Sequence, residues 1–295
     1  MSSLVAALLG MTIVLNSLVL RLHDPTPFMP AETKPHTLTG EFRTHARFRS
    51  SFLPGTRTIL VYLPPGYKPR AARRYPTLYL QDGQNVFDKA TSFGEEWHVD
   101  ETAQALIEQG QIEPLIVVAI YNTGEHRVDE YTPTKVADKG GGSADLYGRM
   151  LVEEIKPLID RKYKTLPSAA STGLGGSSLG GLLTMHLAIK YPTAFNRLAV
   201  LSPSVWWDNR VILREVQELP AKLPLKIWLD AGTAEGPNVV ADVRALRDAL
   251  FAKGWVPDHD LRYVEAEGAE HNEQSWGARV GQVLKFLYPA RKTAE

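Results

Sequence analysis

The chain has 295 residues, 44% of them hydrophobic, which suffices for a sizeable buried core. Lys plus Arg and Asp plus Glu number 33 each, so no global field draws the chain to nucleic acid or to anionic lipid. It has no cysteine, which excludes thiol catalysis, disulfides and thiolate metal sites and leaves the redox compartment open.

Residues 4–20 form one long apolar run that resembles a secretory signal or a short membrane anchor. Export or anchoring is expected, although no Lys or Arg precedes the run, no small-x-small cleavage pattern follows, and Asn16 and Ser17 interrupt it. The competing expectation is an N-terminal helix packed on the domain. Residues 21–37, with Pro25, Pro27, Pro30 and Pro35, read as a linker. From residue 38 to 290 the text is that of one compact domain, followed by a short tail at 291–295.

Thr56 to Leu63 alternates and is rich in β-branched residues, so it predicts a strand stopped by Pro64-Pro65-Gly66. Tyr75 to Leu80 predicts a second strand, running into Gln81-Asp82-Gly83-Gln84-Asn85. A helix is expected over 99–109, and the uninterrupted apolar run Leu115 to Ile120 predicts a strand buried on both faces. Leu146, Met150, Leu151, Ile155, Leu158 and Ile159 recur at helical spacing, with Pro157 expected to kink or end that helix. Leu198 to Leu201, Leu225 to Leu229 and Leu261 to Val264 predict three further strands. Val239, Val243, Leu246 and Leu250 mark an amphipathic helix that Gly254 can cap, and Trp276, Val280, Val283, Leu284 and Leu287 mark the last helix. Strands separated by helices this often predict a mostly parallel sheet covered on both faces.

Within this order, Gly176, Ser178 and Gly180 spell G-x-S-x-G between a small-residue stretch and an apolar helical segment. A strand that reverses sharply into a helix holds its corner residue in strained geometry and lifts the corner hydroxyl clear of the sheet. That presents a nucleophile, which needs a base and an acid to orient the base. His271 alone among the eight histidines follows the last strand and precedes the last helix. His23, His36 and His45 come too early and His186 lies inside the helix after the turn. His98, His126 and His259 sit in polar loops where solvation is expected. The acid has two candidates: Glu235, three residues past Gly232, is preferred over Asp230 at the strand's end. Backbone N–H groups of Leu179 and Gln84 are the expected oxyanion donors. There is no H-E-x-x-H and the histidines are scattered, so neither a metal nor an organic cofactor is expected. Trp206 and Trp207 follow a strand's carboxyl end and are candidate pocket walls. Arg127 is a candidate contact for an anionic substrate group, with a salt bridge to Glu125, Asp129 or Glu130 as its other expected role.

Val61 to Tyr67, Leu78 to Asp88, Gly176 to Gly181 and Gly268 to Asn272 together resemble the Putative esterase family of α/β-hydrolases. That family includes enterochelin-type siderophore esterases, feruloyl and acetylxylan esterases, the esterase D group and mycolyltransferases. Tyr121 to Pro133 and Ser202 to Trp207 resemble its siderophore-esterase branch. The resemblance covers about residues 40–290. It implies a single-domain α/β-hydrolase with nucleophile Ser178, base His271, acid Glu235 and oxyanion donors Gln84 and Leu179. The implied activity is hydrolysis of a small-molecule carboxylic ester, such as a siderophore, feruloyl or acetyl-sugar ester, through an acyl-enzyme. The substrate itself does not follow from the fold. The competing readings are acyl transfer to a sugar or lipid alcohol, and a non-catalytic binding protein on the same scaffold. No nucleic-acid partner is expected, and membrane contact only through residues 4–20. The oligomeric state does not follow from the sequence.

Overall fold

The computed structural model describes residues 34–290. The apolar run at 4–20 and most of the Pro-rich segment therefore lie outside the described residues. No helix among the described residues is long and apolar enough to cross a membrane.

The strands are β1 (Glu41–Phe48), β2 (Arg57–Leu63), β3 (Thr77–Leu80), β4 (Ile116–Ile120), β5 (Lys135–Val136), β6 (Gly140–Gly141), β7 (Thr172–Ser177), β8 (Arg197–Leu201), β9 (Lys226–Gly232) and β10 (Leu261–Ala266). The helices are α1 (Val99–Glu108), α2 (Arg127–Tyr131), α3 (Ala144–Arg149), α4 (Lys156–Lys162), α5 (Leu179–Lys190), α6 (Trp207–Glu218), α7 (Pro237–Ala252) and α8 (Glu273–Leu287). Eight strands form one sheet in the order β1-β2-β4-β3-β7-β8-β9-β10, and β5 and β6 make a small separate hairpin. β1 and β2 run antiparallel to their neighbours, and β4 through β10 in that order are parallel. This is the mostly parallel sheet that the alternating strand and helix patterns predict, of the α/β-hydrolase type that the resemblance implies.

Period-two alternation sorts the core into two layers. Tyr79, Ile116, Val118, Leu174, Leu198 and Val200 pack on the face covered by α3 to α7. Leu78, Leu80, Val117, Ala119, Ala199 and Leu201 pack on the opposite face against α1 and α8. Both faces are covered, which is why β3, β4 and β7 are buried at every position.

Three local findings refine or depart from the sequence expectation. The interruption expected at Pro157 takes the form of a six-residue π segment, Met150–Ile155, which precedes it and joins α3 to α4. The wider turn accommodates the hydrogen bond that proline cannot donate. β9 runs on to Gly232, three residues further than its apolar run suggests, because Asp230 pairs in register with Leu201 on one side and Val264 on the other. Finally, residues 34–37, read as the end of a linker, are fastened to the domain. Lys34 Nζ donates to the carbonyls of Ser92 and Gly94, and Thr37 Oγ1 donates to Glu96 Oε1.

Candidate active site

β7 lies at the centre of the sheet, between β3 and β8, and ends at Ser177. Ser178 follows with φ 56 and ψ −122, a region that side chains other than glycine's rarely occupy. The turn is held from three sides. Ser178 N donates to Leu201 O at 3.1 Å, Ser178 O accepts from Ser204 N at 3.0 Å, and Leu182 N closes the first helical turn on Ser178 O at 3.1 Å. Gly176 makes the close approach possible, since a Cβ there would lie 2.5 Å from Gln81 Oε1 and 2.9 Å from the Gly180 carbonyl carbon. Gly180 is under no such constraint, its nearest neighbour to a Cβ being at 3.5 Å.

Two other strand ends bring up the partners. At the end of β9, Glu235 is held with its side chain fully buried, while the His271 side chain is 40% exposed. Glu235 Oε2 lies 2.8 Å from His271 Nδ1. Glu235 Oε1 accepts from Ser202 Oγ at 2.5 Å and from Gly232 N at 2.8 Å. Burial raises the Glu235 pKa, but the hydrogen bonds from His271, Ser202 and Gly232 outweigh it and hold the carboxyl below its ordinary value. An ionised carboxylate accepts only, so the ring carries its proton on Nδ1 and leaves the Nε2 lone pair free.

The Glu235 and His271 loops approach closely because residue 232 is glycine, where a Cβ would lie 2.1 Å from Ala269 O. Ala234 N donates to Ala269 O, and Gly268 N to Thr233 Oγ1. Asn272 Oδ1 caps α8 by accepting from Ser275 N at 2.9 Å, which fixes the residue that follows His271. The Trp276 ring stands edge-on to His271, 4.9 Å between centroids.

Ser178 and His271 line one cavity of about 280 Å3, together with Asp82, Asn85, Arg127 and Trp276. Among the described residues Ser178 Oγ has one hydrogen-bond partner, Ser204 Oγ at 3.3 Å. Leu179 is the first residue of α5, where backbone N–H groups have no intrahelical acceptor. Gln84 lies in the short turn after β3, and β3 pairs directly with β7, so this turn sits beside Ser178. Gly83 lets that turn press on β4, since a Cβ would lie 2.6 Å from Ala119 C.

The chain matches the model of the Esterase family, described as "Putative esterase", over residues 50–287. It belongs to this family. The esterase is 28% identical over 237 residues to the endo-1,4-beta-xylanase/feruloyl esterase of Xylanibacter ruminicola, covering 79% of this chain and 29% of that longer protein. It is 28% identical over 207 residues to the ferri-bacillibactin esterase BesA of Bacillus subtilis, covering 61% of this chain and 66% of that one. The fold is shared with the BES protein of Bacillus cereus at a TM-score of 0.69 and 23% identity, over 88% of this chain and 99% of that one. The protein is thus an esterase, a carboxylic-ester hydrolase with an α/β fold.

Several sequence expectations need correction in this esterase. Asp230 is fully buried in the sheet, and His271 is not among its hydrogen-bond partners. It accepts from Arg279 Nε and Nη2 at 3.0 Å each, from Trp228 Nε1 at 2.7 Å and from Ser202 N at 3.1 Å. Trp207 is not a pocket wall. It is 2% exposed, its Nε1 donates to Thr134 O at 3.1 Å, and Gly141 packs on its ring. Trp206 is 44% exposed, lies under Lys139 Nζ, and does not line the Ser178 cavity. Arg127 does line it, but its ion pair is with none of the three acids expected. Its Nε and Nη2 donate to the two Asp82 oxygens at 2.7 Å each. Glu130 is instead held by Arg57 in a buried bidentate pair at 2.9 Å.

Sequence reasoning missed Ser202 and Arg279 as parts of the site. Ser202 Oγ donates to Glu235 and accepts from Trp276 Nε1 at 3.0 Å and Arg279 Nη2 at 3.1 Å, so it links the acid to the buried Asp230–Arg279 pair. Arg279 sits on the apolar side of the α8 stripe, and a charge amid Trp276, Val280 and Val283 was the available signal.

Proposed function

We propose that this esterase is a serine hydrolase using Ser178 as nucleophile, His271 as base and Glu235 as orienting acid, acting through an acyl-enzyme. The observation that carries the reading is the 2.8 Å contact between His271 Nδ1 and a buried Glu235 carboxylate, on the loops flanking the cavity that Ser178 lines. Rotation of the Ser178 hydroxyl exchanges the Ser204 contact for one with His271 Nε2, a bond that tightens only when substrate is bound. Ser178 Oγ attacks the ester carbonyl, and its proton passes to Nε2. The tetrahedral oxyanion is stabilised by the Leu179 and Gln84 backbone N–H groups. The imidazolium protonates the leaving alkoxide, and water then repeats the sequence in the deacylation half. The exposed side of the His271 ring gives water access, which favours hydrolysis over transfer to an alcohol.

At about 280 Å3 the cavity is at the small end of the ~300–1,000 Å3 range of drug-sized ligand pockets. It therefore encloses an acyl group and leaves the alcohol portion outside. Its polar walls, Asn85, Asn122 and the Asp82–Arg127 pair, suit a hydroxylated acyl group. Siderophore, feruloyl and acetyl-sugar esters are the substrate classes to test, the first two being those named for the relatives. The test compares kcat/KM for these esters in wild type and Ser178→Ala. Turnover of at least one class, reduced on the order of 10^5- to 10^6-fold in a folded Ser178→Ala protein, is expected. Undiminished turnover in that variant would refute the nucleophile.

A further inference from the structure

The end of the loop between β3 and α1 and the first turn of α1 gather three metal-ligating side chains, Glu96, His98 and Glu101. His98, the residue before α1, has the left-handed φ of 53. Its Nδ1 lies 3.5 Å from Glu96 Oε1 and 3.5 Å from Glu101 Oε1. The ligand atoms of all three residues lie within 4.8 Å of one another. Nitrogen and oxygen ligands about 2.1 Å from a tetrahedral ion stand about 3.4 Å apart, whereas direct hydrogen bonds usually close to below about 3.2 Å. The two 3.5 Å separations from His98 Nδ1 match that spacing.

The burial of Glu96 separates this cluster from an ordinary charged helix start. Its side chain is fully buried, and although Oε1 accepts from Thr37 Oγ1, Oε2 has no hydrogen-bond partner among the described residues. Glu101 Oε2 is also buried, and Glu101 lies against the Asp100 carboxyl, whose pKa burial and this contact push up to about 8. Among the described residues, His98 is the only basic group within ion-pair distance of either carboxylate. Two carboxylates against one imidazole leave negative charge where it is costly to bury. The N-terminus of α1 offsets part of that charge, but it gives Glu96 Oε2 no donor. Glu96 and His98 line an open cavity of about 490 Å3 with Gln274, Gly277 and Ala278 of α8, which has room for an ion and its waters.

We propose that Glu96, His98 and Glu101 form a binding site for a divalent transition-metal ion, Zn2+ or Mn2+. One imidazole nitrogen with two carboxylate oxygens suits these ions, whereas Ca2+ and Mg2+ favour all-oxygen shells. The ion is structural and takes no part in ester cleavage. It braces the start of α1 against α8, where Gly277 packs on Trp97 so closely that a Cβ would lie 2.9 Å from Trp97 O. The Trp97 ring is 5.9 Å from Trp276, whose ring in turn supports His271.

The test titrates chelator-treated, full-length protein with Zn2+ and separately with Mn2+ by calorimetry, and reads the Mn2+ complex by electron paramagnetic resonance. The expected result is one ion per chain, a raised thermal midpoint on binding, and nitrogen coupling in the Mn2+ spectrum. His98→Ala and Glu101→Gln should each weaken binding by at least about tenfold, and His98→Ala should remove the nitrogen coupling. Both side chains are partly exposed, so these variants keep the fold where Glu96→Gln risks it. Unchanged binding in the two variants, or no binding by the folded wild type at millimolar ion, would overturn the proposal.

Discussion

Replacing Asp230 by Asn separates the two carboxylates that compete for the role of triad acid. Asp230 and Arg279 are buried together, their side chains 0% and 6% exposed, in a bidentate pair with both distances at 3.0 Å. Asparagine keeps the shape but removes the charge and turns an NH2 group toward donors, leaving a buried guanidinium unpaired. Breaking a buried pair in this way costs about 3–5 kcal/mol. In a domain of this size each kcal/mol moves the thermal midpoint by roughly 2–4 °C, so a fall of about 6–20 °C is expected. Activity measured below the new midpoint should stay within about tenfold of wild type, because Glu235 retains His271 and the Gly232 amide. Glu235→Gln should do the reverse: near-normal stability with kcat down about 10^4-fold, because the imidazole loses the acceptor that fixes its tautomer. Thermal unfolding by circular dichroism and steady-state kinetics on one ester provide both readings. A stable Asp230→Asn protein that has lost activity as deeply as Glu235→Gln would refute this assignment of the acid.

Two further predictions use other parts of the structure. Gly176→Ala should abolish activity and destabilise by about 2 kcal/mol or more, since its Cβ would collide with Gln81 and the Gly180 backbone. Gly180→Ala should leave both nearly unchanged; equal effects in urea unfolding would contradict this steric account of the motif. His186 is buried on the back of α5, between Glu215 at 2.9 Å and Asp145 at 2.9 Å, with Lys190 also on Asp145. Burial lowers its pKa, but the hydrogen bonds and charges of Glu215 and Asp145 outweigh that and raise it above 6.5. The resulting stability is present in full below pH 6.5 and lost as pH rises through the raised value. Unfolding free energy of wild type minus His186→Gln, measured across that range, should therefore shrink with rising pH. A difference that stays flat would count against the charged form.

The fold was largely legible because its signals are local and repeated. β-branched and apolar runs separated by amphipathic helices specify a parallel sheet, and the Ser178 turn carries its own glycines. Other parts depend on long-range partners. β1 was not predicted, since EFRTHARF reads as polar and pairs only as an edge strand on β2. α6 is broken just after Trp207 by Asp208, Asn209 and Arg210 at positive φ, so no helical period announces its start. Among candidate site residues, Glu235 was separable from Asp230 by spacing and by the family resemblance, and β9 continues through residue 230, which keeps Asp230 in the sheet. Trp207 and Arg127 were misjudged because a side chain's partner depends on which loops fold over it. The 132–143 segment covers Trp207, and the turn after β3 delivers Asp82 to Arg127.

The proposed acyl-enzyme is a covalent ester on Ser178, which can be trapped. Wild type, Ser178→Ala and Glu235→Gln would be treated with a fluorophosphonate and, separately, mixed rapidly with a slowly hydrolysed aryl ester, then digested and mapped by mass spectrometry. The account predicts a single adduct on the peptide carrying Ser178 in wild type, slower formation in Glu235→Gln and none in Ser178→Ala. An adduct on another residue, or ester turnover by wild type with no adduct on Ser178, would contradict it.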